Sequence, residues 1–156
     1  MDKKILRIIA HSGDNIIWIG FSILMLLSFS KQLQFFAILI LAASILGAVL
    51  SSIIKVIFKK ERPIKDKYSE YAPWAKFDLS SFPSGHISRI AAVAFTLGYY
   101  YPYTFIYMGI YTIVLAYSRK KLGYHYASDL IGGVVVGAVS SALVIVLFWK
   151  FNFNQP

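Results

Sequence analysis

Length, composition and charge place the chain among small integral membrane proteins. Of its 156 residues, 58% are hydrophobic, and its mean hydropathy is +0.63, whereas average globular chains are about 45–50% apolar. The chain has no cysteine, which excludes disulfides and thiolate metal sites. A net charge of +9 would suit a nucleic-acid binder, but the basic residues cluster between apolar runs. We therefore expect anionic phosphate groups or lipid headgroups as partners, and no nucleic acid.

The first half of the chain predicts an interfacial helix followed by two crossings. Residues 1–14 mix Lys and Arg with Ile and Leu, which is typical of a helix lying at the membrane surface. Uncharged apolar runs at 15–30 and 35–54 predict spans, since a crossing takes about 20 residues. A tight turn is expected between them at 31–34.

The second half predicts a helical hairpin and a last crossing. The uncharged stretch 90–118 is too long for one span, and the Tyr- and Pro-rich segment 99–103 is its natural break. The last span is expected over 130–149, where Gly133-x-x-x-Gly137 suits close packing within the bundle, with a dimer face as the alternative. The sequence thus predicts an all-α, polytopic bundle of about five transmembrane helices plus an N-terminal interfacial helix, in one domain over residues 1–156.

Three polar segments, far apart in sequence, are predicted to meet at one membrane face. Counting crossings returns 55–86 and 119–129 to the side on which the chain starts. The residues brought there are three cations (Lys55, Arg62, Arg119), a helix start (Ser84, Gly85) and three titratable groups (His86, His125, Asp129). Charges at a membrane boundary are costly and mark function, and cations with helix N–H groups suit a multiply charged anion. With two histidines and a carboxylate, the set predicts phosphoryl transfer.

Each piece also has a plain structural interpretation. Lys55 and Arg62 could be basic flanks of a span, and Ser84 a helix cap. His125 and Asp129 stand four residues apart, a spacing that often gives only a local hydrogen bond. The combination, rather than any single residue, therefore carries the functional prediction.

Three segments resemble, in residue type, order and spacing, the three motifs of the type 2 phosphatidic acid phosphatase superfamily. They are Lys55-x6-Arg62-Pro63, Pro83-Ser84-Gly85-His86 and Ser118-Arg119-x5-His125-x3-Asp129. That superfamily contains lipid phosphate phosphatases, bacterial acid phosphatases and vanadium haloperoxidases. The predicted spans favour the membrane phosphatases and disfavour a vanadium peroxidase. The opening His11-Ser-Gly-Asp14 is also similar to the start of many prokaryotic members.

The resemblance implies a role for each motif residue. His125 attacks phosphorus and forms a phosphohistidine, Asp129 orients its ring, and His86 protonates the leaving oxygen. The expected ligands of the phosphate oxygens are Lys55, Arg62, Ser84, the Gly85 amide and Arg119. No metal or other cofactor is expected.

Four lysines and one histidine are expected to have no motif role. We interpret His11 as an interfacial polar residue. The remaining charges are interpreted as facing lipid headgroups: Lys59, Lys60, Lys120 and Lys121.

The expected substrate is a membrane lipid phosphate. A polyprenyl diphosphate is favoured, with phosphatidylglycerophosphate, phosphatidate and a lipid A phosphate as alternatives, and the loop 64–82 is expected to shape the choice. Two further functions stay open, namely phosphoryl transfer to a second lipid or sugar and non-catalytic anion binding at the membrane.

The expected location is the cell membrane, with the site at one face. All Lys and Arg residues except Lys31 and Lys150 fall on the predicted side of the site, which favours a cytoplasmic site. The resemblance implies the outer face instead, and we favour the outer face.

Overall fold

All regular secondary structure in the described part of the chain is helical, which confirms the predicted all-α class. The computed structural model of the protein describes residues 2–64 and 80–150. The helices are α1 (Lys3–Ser12), α2 (Asn15–Leu26), α3 (Lys31–Phe58), α4 (Gly85–Tyr100), α5 (Pro102–Lys121) and α6 (Ala127–Lys150). Most of the loop expected to shape substrate choice lies at 65–79, outside the described residues.

Two helices are long and apolar enough to cross a membrane alone, namely α3 with 28 residues and α6 with 24. α1 and α2 meet the same criterion together, but a 50° bend separates them. At 1.5 Å per residue, α4 and α5 are about 24 Å and 30 Å long. Length and composition thus support two crossings, or three with the bent pair, against about five expected from the sequence.

The hairpin and the start of α4 lie where the sequence predicts them. α4 begins directly after Ser84, ends at Tyr100, and is followed by α5 from Pro102. Proline is tolerated in the first turn because its missing N–H would have no intrahelical acceptor there. α3 ends at Phe58, and Lys59 then adopts a left-handed conformation with φ of 45°, which turns the chain towards the first motif.

The predicted turn at 31–34 is wrong, because these residues form the first turn of α3. The Ser30 hydroxyl accepts a hydrogen bond from the Leu33 N–H (3.4 Å) and so caps the helix one turn earlier than the apolar run suggests. The connection between α2 and α3 therefore falls at 27–30.

α4 is the central helix and packs on α3, α5 and α6. Glycines on both sides allow the close approach. A Cβ added at Gly47 of α3 would lie 3.0 Å from the Ser88 carbonyl oxygen, and one added at Gly137 of α6 would lie 2.8 Å from it. The Gly133-x-x-x-Gly137 motif thus serves packing within the chain, as predicted. Ile87 and Ile90 of α4 are buried against Leu115 of α5.

The two ends of the bundle differ in character. One end unites the C-terminal ends of α3 and α5 with the N-terminal ends of α4 and α6, through the contacts of Arg62 with Tyr124 and of Ser84 with Asp129. The other end carries the tyrosine-rich turn, where Tyr101 contacts the start of α3 and Tyr99 contacts the end of α6. The predicted convergence of the three polar segments is confirmed, and the first end is called the site end below.

Candidate active site

The start of α4 is joined directly to the start of α6. The Ser84 N–H donates to the Asp129 carbonyl oxygen (2.9 Å). The Ser84 side chain is fully buried, and its hydroxyl has no hydrogen-bond partner among residues 2–64 and 80–150. The next N–H groups of α4, from Gly85 on, belong to the first turn and lack intrahelical acceptors. This helix start therefore offers the donors that an anion requires.

The two cations of the first motif share one carbonyl oxygen. Lys55 Nζ donates to the Ser80 oxygen at 2.7 Å, and Arg62 Nη2 donates to the same oxygen at 3.4 Å. Arg62 Nη1 donates to the Tyr124 carbonyl oxygen (3.0 Å), so the guanidinium joins the first motif to the third. Arg62 is buried, and these contacts fix both the position and the direction of its fork.

The His125 ring is oriented by a backbone carbonyl. Its Nδ1 lies 2.9 Å from the Ser81 oxygen, and because a carbonyl can only accept, Nδ1 carries the hydrogen. Nε2 therefore carries the lone pair of the ring, which accepts a long hydrogen bond from Arg62 Nη1 (3.5 Å). This places the unprotonated nitrogen of the ring beside a group that suits phosphate.

Burial and positive charge keep this ring neutral. Burial lowers the pKa of His125 to about 3, against the upward effect of Asp129, and the positive charges of Arg119, Arg62 and Lys55 lower it further. A neutral imidazole retains the lone pair that attack on phosphorus requires.

Asp129 is fully buried, but its closest partners differ from those expected. Its Oδ2 lies 3.8 Å from His125 Nδ1, beyond hydrogen-bond distance, and accepts instead from the Tyr126 N–H (2.8 Å). Its Oδ1 accepts from Lys60 Nζ at 2.6 Å. The interpretation of Lys60 as a charge facing the headgroups is therefore wrong: it is drawn inward because a buried carboxylate requires a counter-charge.

Arg119 and His86, the remaining motif residues with charged or titratable side chains, contact the N-terminal segment. Arg119 is buried, its Nη1 donates to the Ala10 carbonyl oxygen (3.0 Å), and its guanidinium lies over the Tyr124 ring (5.3 Å). His86 Nε2 lies 2.5 Å from Asp14 Oδ1. The site end thus has two parts, one around His125 and one around His86, with Arg119 between α1 and the segment that carries His125.

Several residues that contact the motif residues have no site role in the sequence analysis, and Ser80, Ser81, Lys60 and Asp14 are the most informative of them. Ser80 and Ser81 act through their carbonyl oxygens, so their side-chain types carry no signal. Lys60 stands in a basic run in which nothing distinguishes it from Lys59. Asp14 did carry a signal, since it closes the His11-Ser-Gly-Asp14 segment that is similar to the start of many prokaryotic phosphatases of the resembled family.

Together these groups have the charge and the hydrogen-bond donors that suit a phosphate. A neutral imidazole nitrogen, two buried guanidinium groups, a lysine and a helix start lie at one end of the bundle. Such groups can hold the oxygens of a phosphate while a nitrogen attacks phosphorus.

Comparison with known proteins gives a family match and several relatives. A family model described as the PAP2 superfamily matches residues 33–153. The undecaprenyl-diphosphatase of Sulfolobus acidocaldarius is 28% identical over 134 residues, which is 85% of this chain and 64% of the relative. The lipid A 1-phosphatase of Rhizobium johnstonii is 28% identical over 110 residues, which is 67% of this chain and 44% of the relative. The chain therefore spans less than two thirds of the length of either relative.

The fold is also similar to a solved structure. A transmembrane PAP2-type phosphatidylglycerolphosphate phosphatase from Bacillus subtilis superposes with a TM-score of 0.71 at 23% sequence identity. The match covers 97% of this chain and 79% of that one. At this level of identity, the similarity concerns the fold.

Proposed function

Since the chain belongs to the PAP2 superfamily, we propose that it is a membrane lipid phosphatase that works without a metal ion. The observation that carries the proposal is the geometry of His125. Its Nδ1–H is held by the Ser81 carbonyl oxygen, and its Nε2 lies 3.5 Å from the Arg62 guanidinium. A phosphate held by Arg62 would therefore meet the lone pair of Nε2.

The reaction proceeds in two steps. In the first, His125 Nε2 forms a bond to phosphorus, the bond from phosphorus to the leaving oxygen breaks, and His86 gives that oxygen a proton. In the second, water attacks the phosphohistidine, His86 takes the proton of the water, and phosphate leaves His125 free again. Lys55, Arg62 and Arg119, with Ser84 and the Gly85 amide, hold the non-bridging oxygens throughout.

Asp129 supports His125 at longer range. At 3.8 Å from Nδ1 its carboxylate opposes the charge that develops on the ring when Nε2 binds phosphorus. The Ser81 carbonyl orients the ring before the reaction, and Asp129 stabilises it during the reaction.

A polyprenyl diphosphate is the substrate that we favour. The similarity to the Sulfolobus undecaprenyl-diphosphatase, which aligns with 85% of this chain, supports this choice over a lipid A phosphate, a phosphatidylglycerophosphate or a phosphatidate. The site lies at the end of a bundle with many exposed apolar side chains, so a lipid could reach it from the bilayer.

We further propose five crossings formed by α2 to α6, with α1 at the interface and the site end at the outer face of the cell membrane. Support comes from the alternating directions of the helices, since α3 and α5 end, and α4 and α6 begin, at the site end. α2 has only 12 residues. It begins at the site end, where a 50° bend connects it to α1.

Phosphate release from a panel of lipids by the purified protein in detergent tests the function. The panel holds polyprenyl diphosphate, phosphatidylglycerophosphate, phosphatidate and lipid A, each with and without EDTA. We expect release from one lipid far above the others, insensitive to EDTA and inhibited by vanadate, which mimics five-coordinate phosphorus.

The control is His125→Ala, which should fold and still bind inorganic phosphate through the cations but release no phosphate from the lipids. Near-native turnover by this variant would contradict the nucleophile assignment. Release only when a second lipid or sugar is added would indicate a phosphotransferase, and no release at all would indicate a membrane anion binder.

A further inference from the structure

The Asp14 carboxylate bridges two histidines from different helices. Its Oδ1 lies 2.5 Å from His86 Nε2 in the first turn of α4, and its Oδ2 lies 3.0 Å from His11 Nδ1 in the last turn of α1. The His86 side chain is 14% exposed and that of His11 42%. An acidic residue outside the three motifs therefore contacts the imidazole expected to protonate the leaving group.

The backbone around Asp14 is held in place from several sides. Asp14 stands at the 50° bend between α1 and α2, where its own N–H donates to the His11 carbonyl oxygen (2.9 Å). A Cβ added at Gly13 would lie 2.8 Å from the end of the Leu115 side chain, so the bend packs closely on α5 and a larger residue would displace Leu115. The Gly13 carbonyl oxygen accepts from Arg89 Nη2 (3.4 Å), which ties the bend to α4.

Two contacts between α1 and α5 complete this anchoring. The hydroxyl groups of Ser12 and Tyr111 lie 2.8 Å apart, and Arg119 donates to the Ala10 carbonyl oxygen (3.0 Å). Arg119 is one of the motif cations, so a residue of the candidate site itself holds the segment that carries Asp14.

The contact with Asp14 fixes a proton on one nitrogen of the His86 ring. An ionised carboxylate only accepts hydrogen bonds, so His86 Nε2 donates to it. A carboxylate at this distance favours the charged imidazolium, and it opposes the burial of the ring and the positive charges of Arg119 and Arg89, which favour the neutral form. Among the described residues, Asp14 is the acidic side chain with a contact to His86.

Building on the proposed phosphatase function, we propose that Asp14 is a positioning residue that orients His86 and keeps it able to protonate the leaving oxygen. His11, on the second carboxylate oxygen, orients Asp14 in turn. The segment His11-Ser-Gly-Asp14 is then a fourth part of the site, contributed by the bend that follows the N-terminal helix.

The first test reads the His86 ring directly and needs no activity. The chain has three histidines, so imidazole 15N spectra hold three sets of signals, and His86→Gln assigns those of His86. Asp14→Asn, which keeps the size of the side chain, should move the His86 signals and leave those of His125 in place. Asp2→Asn, which removes a carboxylate that caps α1 at Lys4, is the matched control and should move neither. Unchanged His86 signals in Asp14→Asn would overturn the proposal.

The second test uses the leaving group. An alkoxide leaves slowly unless it is protonated, whereas nitrophenolate leaves without a proton. Asp14→Asn should therefore reduce kcat by about 10²- to 10⁴-fold on a short-chain phosphatidate, the usual contribution of general acid catalysis, and far less on p-nitrophenyl phosphate. Asp14→Glu should restore part of the lost rate.

The outcomes separate the two proposals. Equal losses on both substrates would mean that Asp14 has only a structural role, which overturns the inference and leaves the phosphatase function standing. A wild-type protein that hydrolyses nothing would refute the phosphatase function, while the 15N spectra would still decide whether Asp14 controls the His86 ring.

Discussion

His125 is held by a carbonyl oxygen where the motif resemblance implies a carboxylate. The difference matters for the chemistry, because a carbonyl orients the Nδ1–H without drawing the ring towards its charged form. Asp129, 3.8 Å away, is close enough to stabilise positive charge once it develops. The resting ring is thus neutral and held in a fixed orientation.

His125 should therefore stay neutral from pH 8 down to about pH 4, since its pKa is lowered to about 3 from an ordinary value of about 6.5. The unfolded chain takes up a proton near pH 6.5, whereas the folded chain does so only near pH 3. The contribution of His125 to the free energy of unfolding is therefore most favourable above pH 6.5. It becomes less favourable as the pH falls from 6.5 to about 3, because in that range the unfolded chain binds a proton that the folded chain does not. Imidazole 15N shifts recorded against pH measure this directly, and a His125 titration near pH 6.5 would contradict it.

Lys60 is the counter-charge of Asp129 and should matter although it lies outside the motifs. Lys60→Met removes a 2.6 Å contact to a fully buried carboxylate and should lower the free energy of unfolding by about 1–2 kcal/mol, together with kcat. Denaturant unfolding in detergent and phosphate release measure the two effects. Lys120→Met, at an exposed position of α5, is the control, and equal behaviour of the two variants would refute the role of Lys60.

Sequence predicted the motif residues but not all of their partners. Lys55, Arg62, Ser84, His125 and Asp129 were expected together and lie together, because their types and spacings carry information. The carbonyl oxygens of Ser80 and Ser81 that organise them could not be predicted, since every residue has such a group and only the path of the chain selects two. The pairing of Lys60 with Asp129 likewise depends on the left-handed turn after α3.

At the scale of helices, the position of α4 decides the geometry of the site. Its first turn presents Ser84, Gly85 and His86, and its Ser88 carbonyl oxygen lies between Gly47 of α3 and Gly137 of α6. The glycines let three helices approach so closely that α4 has little freedom to slide. A phosphate site at its start is therefore preorganised.

Gly137→Ala should destabilise the protein. The added methyl would lie 2.5 Å from the Ala91 Cβ and 2.8 Å from backbone atoms of α4, and such overpacking costs about 1–3 kcal/mol. Gly109→Ala is the matched control, because a Cβ there meets nothing within 4 Å and alanine favours a helix by up to about 1 kcal/mol. Unfolding in detergent should separate the two variants, and a Gly137→Ala protein as stable as Gly109→Ala would refute the close approach.

Sequence patterns predicted where the helices lie more accurately than they predicted the residues at which each helix begins and ends. The tyrosine- and proline-rich break between α4 and α5 and the start of α4 followed from strong local signals. The bend between α1 and α2, and the extension of α3 to Lys31, did not follow from apolar runs. They depend on one serine cap and on packing of Gly13 against Leu115, which is a tertiary contact.

For the whole molecule, one end carries the site and nearly all of the described basic residues. Lys31 and Lys150 lie at the opposite end, beside the tyrosine-rich turn. The directions of the helices place these two ends on opposite sides of the bundle. Which of the two ends faces the outside of the cell is decided when the chain inserts into the membrane.

Cysteine labelling in intact cells should reveal the orientation. If the site end is at the outer face, a membrane-impermeant reagent should label Lys120→Cys and not Lys31→Cys. Both positions are exposed, so reactivity after the cells are opened provides the control for each. Labelling at position 31 alone would place the site at the cytoplasmic face and refute the proposed orientation.

The packing of α6 against α4 also determines when the candidate site can form during synthesis of the chain. Among the described residues, the Ser84 N–H has its acceptor in Asp129, and Gly133 and Gly137 bring α6 against α4, which precedes it in the chain. The three cations Lys55, Arg62 and Arg119 precede α6 in the chain, whereas Asp129 stands in the first turn of α6 itself. A nascent chain halted before α6 would therefore hold the cations of the candidate site without its buried carboxylate and without the acceptor of the Ser84 N–H.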